Sequence, residues 1–465
     1  MSASSDPPTS ALVRWRRAAA AMPRLAAAAV RHGVLPSGLA AARTARSEGL
    51  ADLHWKVLGD GLVRFLRNAG PVFTKFGQIL ATRSDLLPAP VCARLESLYA
   101  QQSAMTTREL RRELRRAYGR QLPFRAIDET PIAVGSIGQV HRARLAGGEA
   151  VVVKVLRAGI EERVERDLEV ARVLVDAWLA VPSREHAAAR ELLSRSLDDL
   201  ARGLADEVDL SREAEALREF SSRFDCHPHV RVPVCFEALS SRRVLVMEEL
   251  EGEPLAVYRR RAKTDPEAAR RIANLALTEI LRQVFEDGRF HADPHAGNLL
   301  VLPDGRLGLV DLGLVGELGR ADRRRIARAV RAFLSRDADA LIRALLGFGS
   351  TPDDFDAEKF KQDVRGVAQS FGSGVAARLR GRDVGDLDGN SLDQFLAALF
   401  AVGTRHGIHV PASTTLLIKT LVTIEGVARS LHPELDLATT AAPVVLRSLT
   451  PRWMRWLFGG SRPAL

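Results

Sequence analysis

Between Ile127 and Leu156 the chain changes texture, and short β-branched runs punctuated by glycine replace the helical spacing on either side. That stretch reads as a small antiparallel sheet. A chain of 465 residues that is otherwise helical must build its fold around it. From about Leu53 to Tyr118 the apolar spacing is helical, with Pro71, Pro88 and Pro90 as breaks. Residues 158–225 return to a helical pattern with dense charge, and Val230 to Leu250 again reads as strands. From Pro266 onward nearly everything reads as helix except Leu299 to Val315, where two apolar runs flank Pro303-Asp304-Gly305 as a tight hairpin. There is no fixed-period repeat. The outline is α+β: a small sheet lobe set among helices, then a large, mostly helical lobe.

The glycine-punctuated stretch contains Ala133-Val134-Gly135-Ser136-Ile137-Gly138-Gln139-Val140, which departs only at its first position from G-x-G-x-x-G-x-V. At a strand–turn–strand, missing side chains let backbone amides approach phosphate oxygens. A Gly-rich hairpin alone is a weak signal. Sixteen residues after Gly138, however, Val151-Val152-Val153-Lys154 has the form of a strand that presents a phosphate-pairing lysine. The chain holds 60 Arg and only seven Lys, so a Lys ending a β-branched run is not a solubilising choice. A compact ammonium suits a tight phosphate pocket.

Further on, His291-Ala292-Asp293-Pro294-His295-Ala296-Gly297-Asn298 carries the spacing Asp-x-x-x-x-Asn of a loop whose Asp accepts a hydroxyl proton and whose Asn holds a metal. Reading His291 and His295 as a metal pair would need a continuous helix, which Pro294 and Gly297 oppose. Eighteen residues after Asp293, Asp311-Leu312-Gly313 stands where a D-F-G metal ligand belongs. A buried Asp between Val310 and Leu312 would be costly without a compensating cation, which Mg²⁺ would supply. Met247, Glu248 and Leu250 follow a strand as a hinge whose backbone would meet adenine. An acid must orient Lys154, and Asp206 to Glu213 reads as a helix on which Asp209 and Glu213 share a face. The cofactors implied are ATP (or ADP) and Mg²⁺, with catalysis by positioning and electrostatics.

These residues resemble the UbiB/AarF (ABC1) atypical protein-kinase-like family. Lys75-Phe76-Gly77-Gln78 matches its KxGQ motif, Glu207-Val208-Asp209 its ExD motif, and His291-Ala292-Asp293-Pro294-His295 replaces the usual H-R-D-L-K. The resemblance covers roughly residues 50 to 440. It implies a two-lobe kinase-like fold that binds ATP and Mg²⁺ and assists isoprenoid-quinone biosynthesis at a membrane. It also implies a KxGQ helix lying over the active site, with Lys75 meeting Glu207 and Asp209, which favours ATPase or small-molecule action. Glu213, ranked above Glu207, would then partner Lys154. Two departures stand out: Ala133-Val134-Gly135-Ser136 in place of A-A-A-S, and Leu312 in place of Phe. The expected organisation is a basic segment over 1–50, a helical extension with KxGQ over 51–125 and a sheet lobe with helical insertion over 126–252. A helical lobe over 253–440 and a basic aromatic tail over 441–465 complete it. An ordinary protein or small-molecule phosphotransferase, for which Gly135 argues, and a nucleotide-sensing scaffold of a lipid-biosynthetic complex are the competing functions.

Charge bears on partners. The formal net charge of +10 sits largely at the ends: residues 1–50 hold seven Arg against two acids, and residues 437–465 four Arg and none. A near-neutral body argues against nucleic acid, which would want a basic stripe on a folded face. Trp15, Trp453 and Trp456 lie beside those arginines, so the ends read as contacts with an anionic membrane surface or as solvated tails. No apolar run approaches the ~18–20 residues of a spanning helix, and no signal-peptide pattern is present. The location expected is cytoplasmic, peripheral at the inner face of the cell membrane. A lipid or prenylquinone precursor and quinone-biosynthesis proteins are the further partners implied by the resemblance. Cys92, Cys226 and Cys235 form no disulfide framework, and Cys226, His227, His229 and Cys235 lack the paired spacing of a zinc site.

Overall fold

The computed structural model describes residues 48–70, 72–74, 77, 89–99, 104–179, 198, 201–260, 264–335, 337–347, 351, 355–379, 398–399, 401–403, 405–408, 412–435 and 437–449. Lys75, Trp15, Trp453 and Trp456 lie outside these residues. The chain forms two compact units: one runs to Ala214 and takes in Cys235–Glu249, and the other holds Glu215–Val234 with everything from Leu250. The sheet lobe outlined as 126–252 thus gives residues 215–234 to the second unit.

The first unit is built on a sheet of β1 (Phe124–Ile127), β2 (Ala133–Val134), β3 (Gly138–Leu145), β4 (Ala150–Leu156) and β6 (Val244–Glu248), β5 (Val230–Arg231) falling in the second unit. The order is β1-β3-β4-β6 with β2 on β3, antiparallel throughout. Period-two alternation sends Val151, Val153 and Val155 into a core shared with Met105, Leu110 and Leu114. Lys154 therefore faces the other way, opposite Val140 on β3 and Leu245 on β6.

Leu110 and Leu114 come from the helix Thr107–Tyr118, which opens with a capping box between Thr106 and Glu109 and stops at Gly119, φ 75°. The adjoining helices Glu48–Ala69 and Ala89–Leu95 share a second core of Val63, Leu66, Phe73, Val91, Leu95, Leu98 and Val170. A Cβ on Gly77 would come within 2.4 Å of a Leu98 methyl and 2.6 Å of a Leu66 methyl, so a larger residue there must displace buried leucine side chains.

The second unit carries β5, β7 (Glu253–Pro254), β9 (Leu299–Val301) and β10 (Leu307–Leu309) in the order β5-β10-β9-β7. β9 and β10 form the expected hairpin. A pair that the sequence reading did not anticipate also appears: β8 (Arg289–His291) against β11 (Val315–Glu317). Three residues are too few for a periodic signal, and the pairing depends on Gly316, where a Cβ would strike the Phe290 ring at 2.2 Å. The helix Pro266–Arg282, capped by Asp265, buries Ala269, Ala273 and Ala276 and packs against the helix Ala412–Leu431. The tail drawn at 441 begins inside the helix Leu437–Leu449, because Val444 and Val445 are buried. Among the described residues, no helix is long and apolar enough to cross a membrane.

Candidate active site

In the first unit the Gly-rich turn joins β2 to β3, closed by Gly135 N–H donating to Gly138 C=O at 2.8 Å. Two glycines in this turn have different reasons to be there. A Cβ on Gly138 would lie 2.7 Å from the Val155 carbonyl on β4, so that position must be bare. A Cβ on Gly135 meets only the Gly138 carbonyl at 3.4 Å, and alanine fits. The freedom expected of Gly135 is therefore not demanded by the turn. Its carbonyl accepts from the Arg157 guanidinium at 3.0 and 3.1 Å, while Arg157 N–H donates to Ile137 C=O. Arg157 thus fixes the loop, a role the sequence reading missed because one Arg among 60 carries no signal.

Lys154 Nζ donates to both carboxylate oxygens of Glu213, at 2.8 and 3.0 Å, with side chains only 12% and 5% exposed. Glu213 lies in the first turn of the helix Leu210–Arg223, where the helix dipole favours an acid. The segment Asp206–Glu213 is not one helix, and Asp209 and Glu213 do not share a helical face. The chain breaks at Val208–Asp209, and the Asp209 carboxylate accepts the Ser211 amide at 3.1 Å as a helix cap. Burial alone would push that carboxyl up. Hydrogen bonds from Ser211 and the charges of Arg242 and Arg212 hold it below the usual range instead. Arg242 stands 3.1 Å from it, and Glu207 is half-buried just before the break. Met247 is buried on β6 opposite Val152, Glu248 ends that strand opposite Val151, and the second unit begins at Leu250.

In the second unit two ladders bracket two loops. Ala292 N–H donates to Leu314 C=O at 3.0 Å just past β8 and β11, and Val310 N–H donates to Asn298 C=O at 3.0 Å just past β9 and β10. Residues 293–297 and 311–313 are the arcs between those anchors, so Asp293, Asn298 and Asp311 are brought together. Asn298 is buried, and its amide nitrogen donates to Asp293 C=O at 3.1 Å. The amide oxygen is the atom suited to a hard cation. Asp311 is exposed rather than buried as expected, because Leu312 beside it takes the inward position at 2% exposure. What singles Asp311 out is its backbone: φ 58°, a left-handed conformation rare for a side-chain-bearing residue and concentrated at functional sites. Its carboxylate accepts the Gly313 amide at 3.3 Å.

The loops rest on a buried floor. Gln283, in the π-turn Gln283–Asp287 that ends the helix Pro266–Arg282, accepts the His291 amide at 3.0 Å. The His291 ring is fully buried, and burial pulls its pKa down to about 4 against the pull of Asp311 and Asp293, so it is neutral. Asp293 is half-exposed, with Lys419 Nζ 3.1 Å from its Oδ1.

Among the described residues no cluster of three or more His, Cys, Asp or Glu side chains could hold a metal. Mg²⁺ does not require one, since it commonly binds through one or two protein oxygens together with substrate phosphates. Asn298 and Asp311 supply that donor chemistry, so the residues fit the ion.

A small antiparallel sheet bearing a Lys–Glu pair, with paired Asp/Asn and Asp loops in a helical unit, defines a kinase-like protein. The ABC1 atypical kinase-like domain matches residues 97–345, and the UbiB helical domain matches residues 383–436. A "Probable protein kinase UbiB" of Marinobacter nauticus is 32% identical over 412 residues, covering 87% of this chain and 71% of its own. Its namesake from Azotobacter vinelandii is 32% identical over 401 residues, covering 84% and 70%. The chain belongs to the UbiB/ABC1 atypical kinase-like family. Among solved structures, Rv3197 of Mycobacterium tuberculosis, determined with erythromycin, is similar at a TM-score of 0.52 and 21% identity. It covers 76% of this chain and 87% of its own, a likeness of fold.

Proposed function

We propose that this chain is an ATP- and Mg²⁺-dependent enzyme of the atypical kinase type, hydrolysing ATP or phosphorylating a small or lipid-like molecule in support of ubiquinone-type biosynthesis at a membrane. The observation that carries the reading is the Lys154–Glu213 pair, a buried ammonium held on two oxygens. A structural role alone gives little reason for it, since burying two charges costs on the order of several kcal/mol per ion.

In this reading Lys154 neutralises phosphate charge, the turn from Ala133 to Val140 covers the phosphates, and Met247, Glu248 and Leu250 border the base. Asp293 accepts the proton of the attacking hydroxyl or water. Asn298 and Asp311 would hold Mg²⁺, which when bound supplies positive charge against the phosphate oxygens. The quinone link follows from the family, and the membrane partner from the basic, Trp-bearing ends.

The test is Mg²⁺-dependent ATP hydrolysis by the full chain, with and without anionic-lipid vesicles and with Asp311→Asn as control. Hydrolysis stimulated by lipid and lost in the variant is the expected result. Failure to bind Mg²⁺–nucleotide at all would sink the reading. A conventional phosphotransferase is the second reading, and Gly135 is its argument. Because Gly135→Ala fits the turn, impaired turnover in that variant would favour phosphotransfer rather than report misfolding.

A further inference from the structure

Asp293 is an anion that must work beside an anionic phosphoryl group, and like charges repel. In H-R-D-L-K loops a lysine stands two residues after the Asp, but here that position is His295. The structure shows His295 turned back on its own loop: its Nδ1 accepts the Gly297 amide at 3.0 Å. That nitrogen is occupied by the loop's own backbone, so the ring does not take the place of a lysine ammonium. The described cation paired with Asp293 is Lys419, 3.1 Å from Oδ1, and it comes from the helix Ala412–Leu431.

The next residue on that helix, Thr420, is fully buried, and its hydroxyl proton is shared between Leu416 C=O at 2.9 Å on its own helix and Ala292 C=O at 3.1 Å. Two consecutive helix residues thus grip two consecutive loop residues, one by backbone and one by side chain. The helix lies within the stretch matched by the UbiB helical domain. Lys419 is one of seven Lys against 60 Arg, and it is the first charged residue in Ala-Ser-Thr-Thr-Leu-Leu-Ile-Lys. A pair this exposed, at 37% and 35%, contributes little to stability.

We propose that Lys419 is the positioning residue of the transfer centre. It aims the Asp293 carboxylate and supplies, from a distant helix, the lysine that the His-Ala-Asp-Pro-His loop does not carry at position 295. The proposal rests on the ATP-dependent reading above. In the step it serves, the hydroxyl or water proton passes to Asp293, the oxygen–phosphorus bond forms and the bond from phosphorus to the ADP oxygen breaks. Lys419 keeps its proton throughout and offsets charge between the carboxylate and the phosphoryl group.

The test uses the full chain as wild type, Lys419→Met, Lys419→Arg, Asp293→Asn and the Met/Asn double variant. It reads Mg²⁺–ATP turnover, thermal unfolding, and binding of Mg²⁺–ATP and Mg²⁺–ADP by calorimetry. Lys419→Met should lower kcat at least about tenfold and weaken ATP binding while leaving ADP affinity and unfolding temperature unchanged. Lys419→Arg should recover part of the loss, and the double variant should be no worse than Asp293→Asn alone. Wild-type kcat in Lys419→Met, or a loss shared by ADP affinity and thermal stability, overturns the proposal. If nucleotide binds without turnover, the preference for ATP over ADP decides: lost in Lys419→Met it supports the proposal, retained it refutes it. A wild type that binds neither nucleotide refutes the ATP-dependent reading and this proposal with it, whereas the other refutations leave that reading intact.

Discussion

Each unit contains a lysine on a carboxylate, and the two pairs are built differently. Lys154 in the first unit is held by two oxygens, nearly out of water, on a strand whose neighbours fix its register. Lys419 in the second touches one oxygen of a half-exposed Asp293. A buried two-oxygen pair is fixed in geometry and costly to break, whereas an exposed single contact can be exchanged as another anion arrives. The first suits a group that must stay put while phosphates come to it. The second suits a group that must release its partner to a substrate.

The largest effect expected follows from the buried pair. Lys154→Met should remove about 3–5 kcal/mol of stability along with turnover, read as a lower urea midpoint. An unchanged midpoint would erase the contrast between the pairs. Next comes the floor beneath Asp293. The folded pKa of His291 is about 4 against 6.5 for the free side chain, so as pH falls through that window the unfolded chain takes up a proton that the folded one refuses. Stability should fall from pH 6.5 to about 4 by on the order of 3 kcal/mol. Denaturation at several pH values should show it, and His291→Phe should flatten the slope; an equal slope in both would place the acid sensitivity elsewhere.

Gly138→Ala should cost about 1–3 kcal/mol because the Val155 carbonyl cannot yield. Gly135→Ala should stay within about 0.5 kcal/mol, and equal losses in the two would refute the difference drawn between these glycines. The exposed pair also contributes little to stability. Asp293→Asn should shift unfolding by less than about 1 kcal/mol while lowering turnover by ~10²–10⁴-fold. A large unfolding shift would mean that Asp293 is bound into the fold as tightly as Glu213.

Much of the first unit was legible because its signals are local. The β-branched run Val151-Val152-Val153 ending in Lys154 marked a strand, and Pro303-Asp304-Gly305 marked the hairpin of the second unit. The break at Asp209 was misread because i, i+4 spacing tests only whether a face could exist. It does not test whether an Asp will leave the helix to cap it. The β8–β11 pair was missed because it is brief and specified by the fit of Phe290 over Gly316, which is tertiary. Lys419 was missed for the same reason, although its rarity in an Arg-rich chain was a usable clue. The exposure of Asp311 reversed the expectation, since apolar neighbours do not fix which way a single residue turns.

The two anchors around residues 293–297 and 311–313 have a consequence for length. Adding a residue to 293–297 or 311–313 would put the Ala292–Leu314 or Asn298–Val310 hydrogen bond out of step, so both arcs are length-locked. The exposed turn at Asp304-Gly305, with Gly305 at φ 82°, closes on itself instead: Leu302 N–H donates to Arg306 C=O and Gly305 N–H to Leu302 C=O, each at 2.9 Å. That hairpin tip is where a peptide tag or an extra loop could be spliced without disturbing the distance from Asp293 to Asp311.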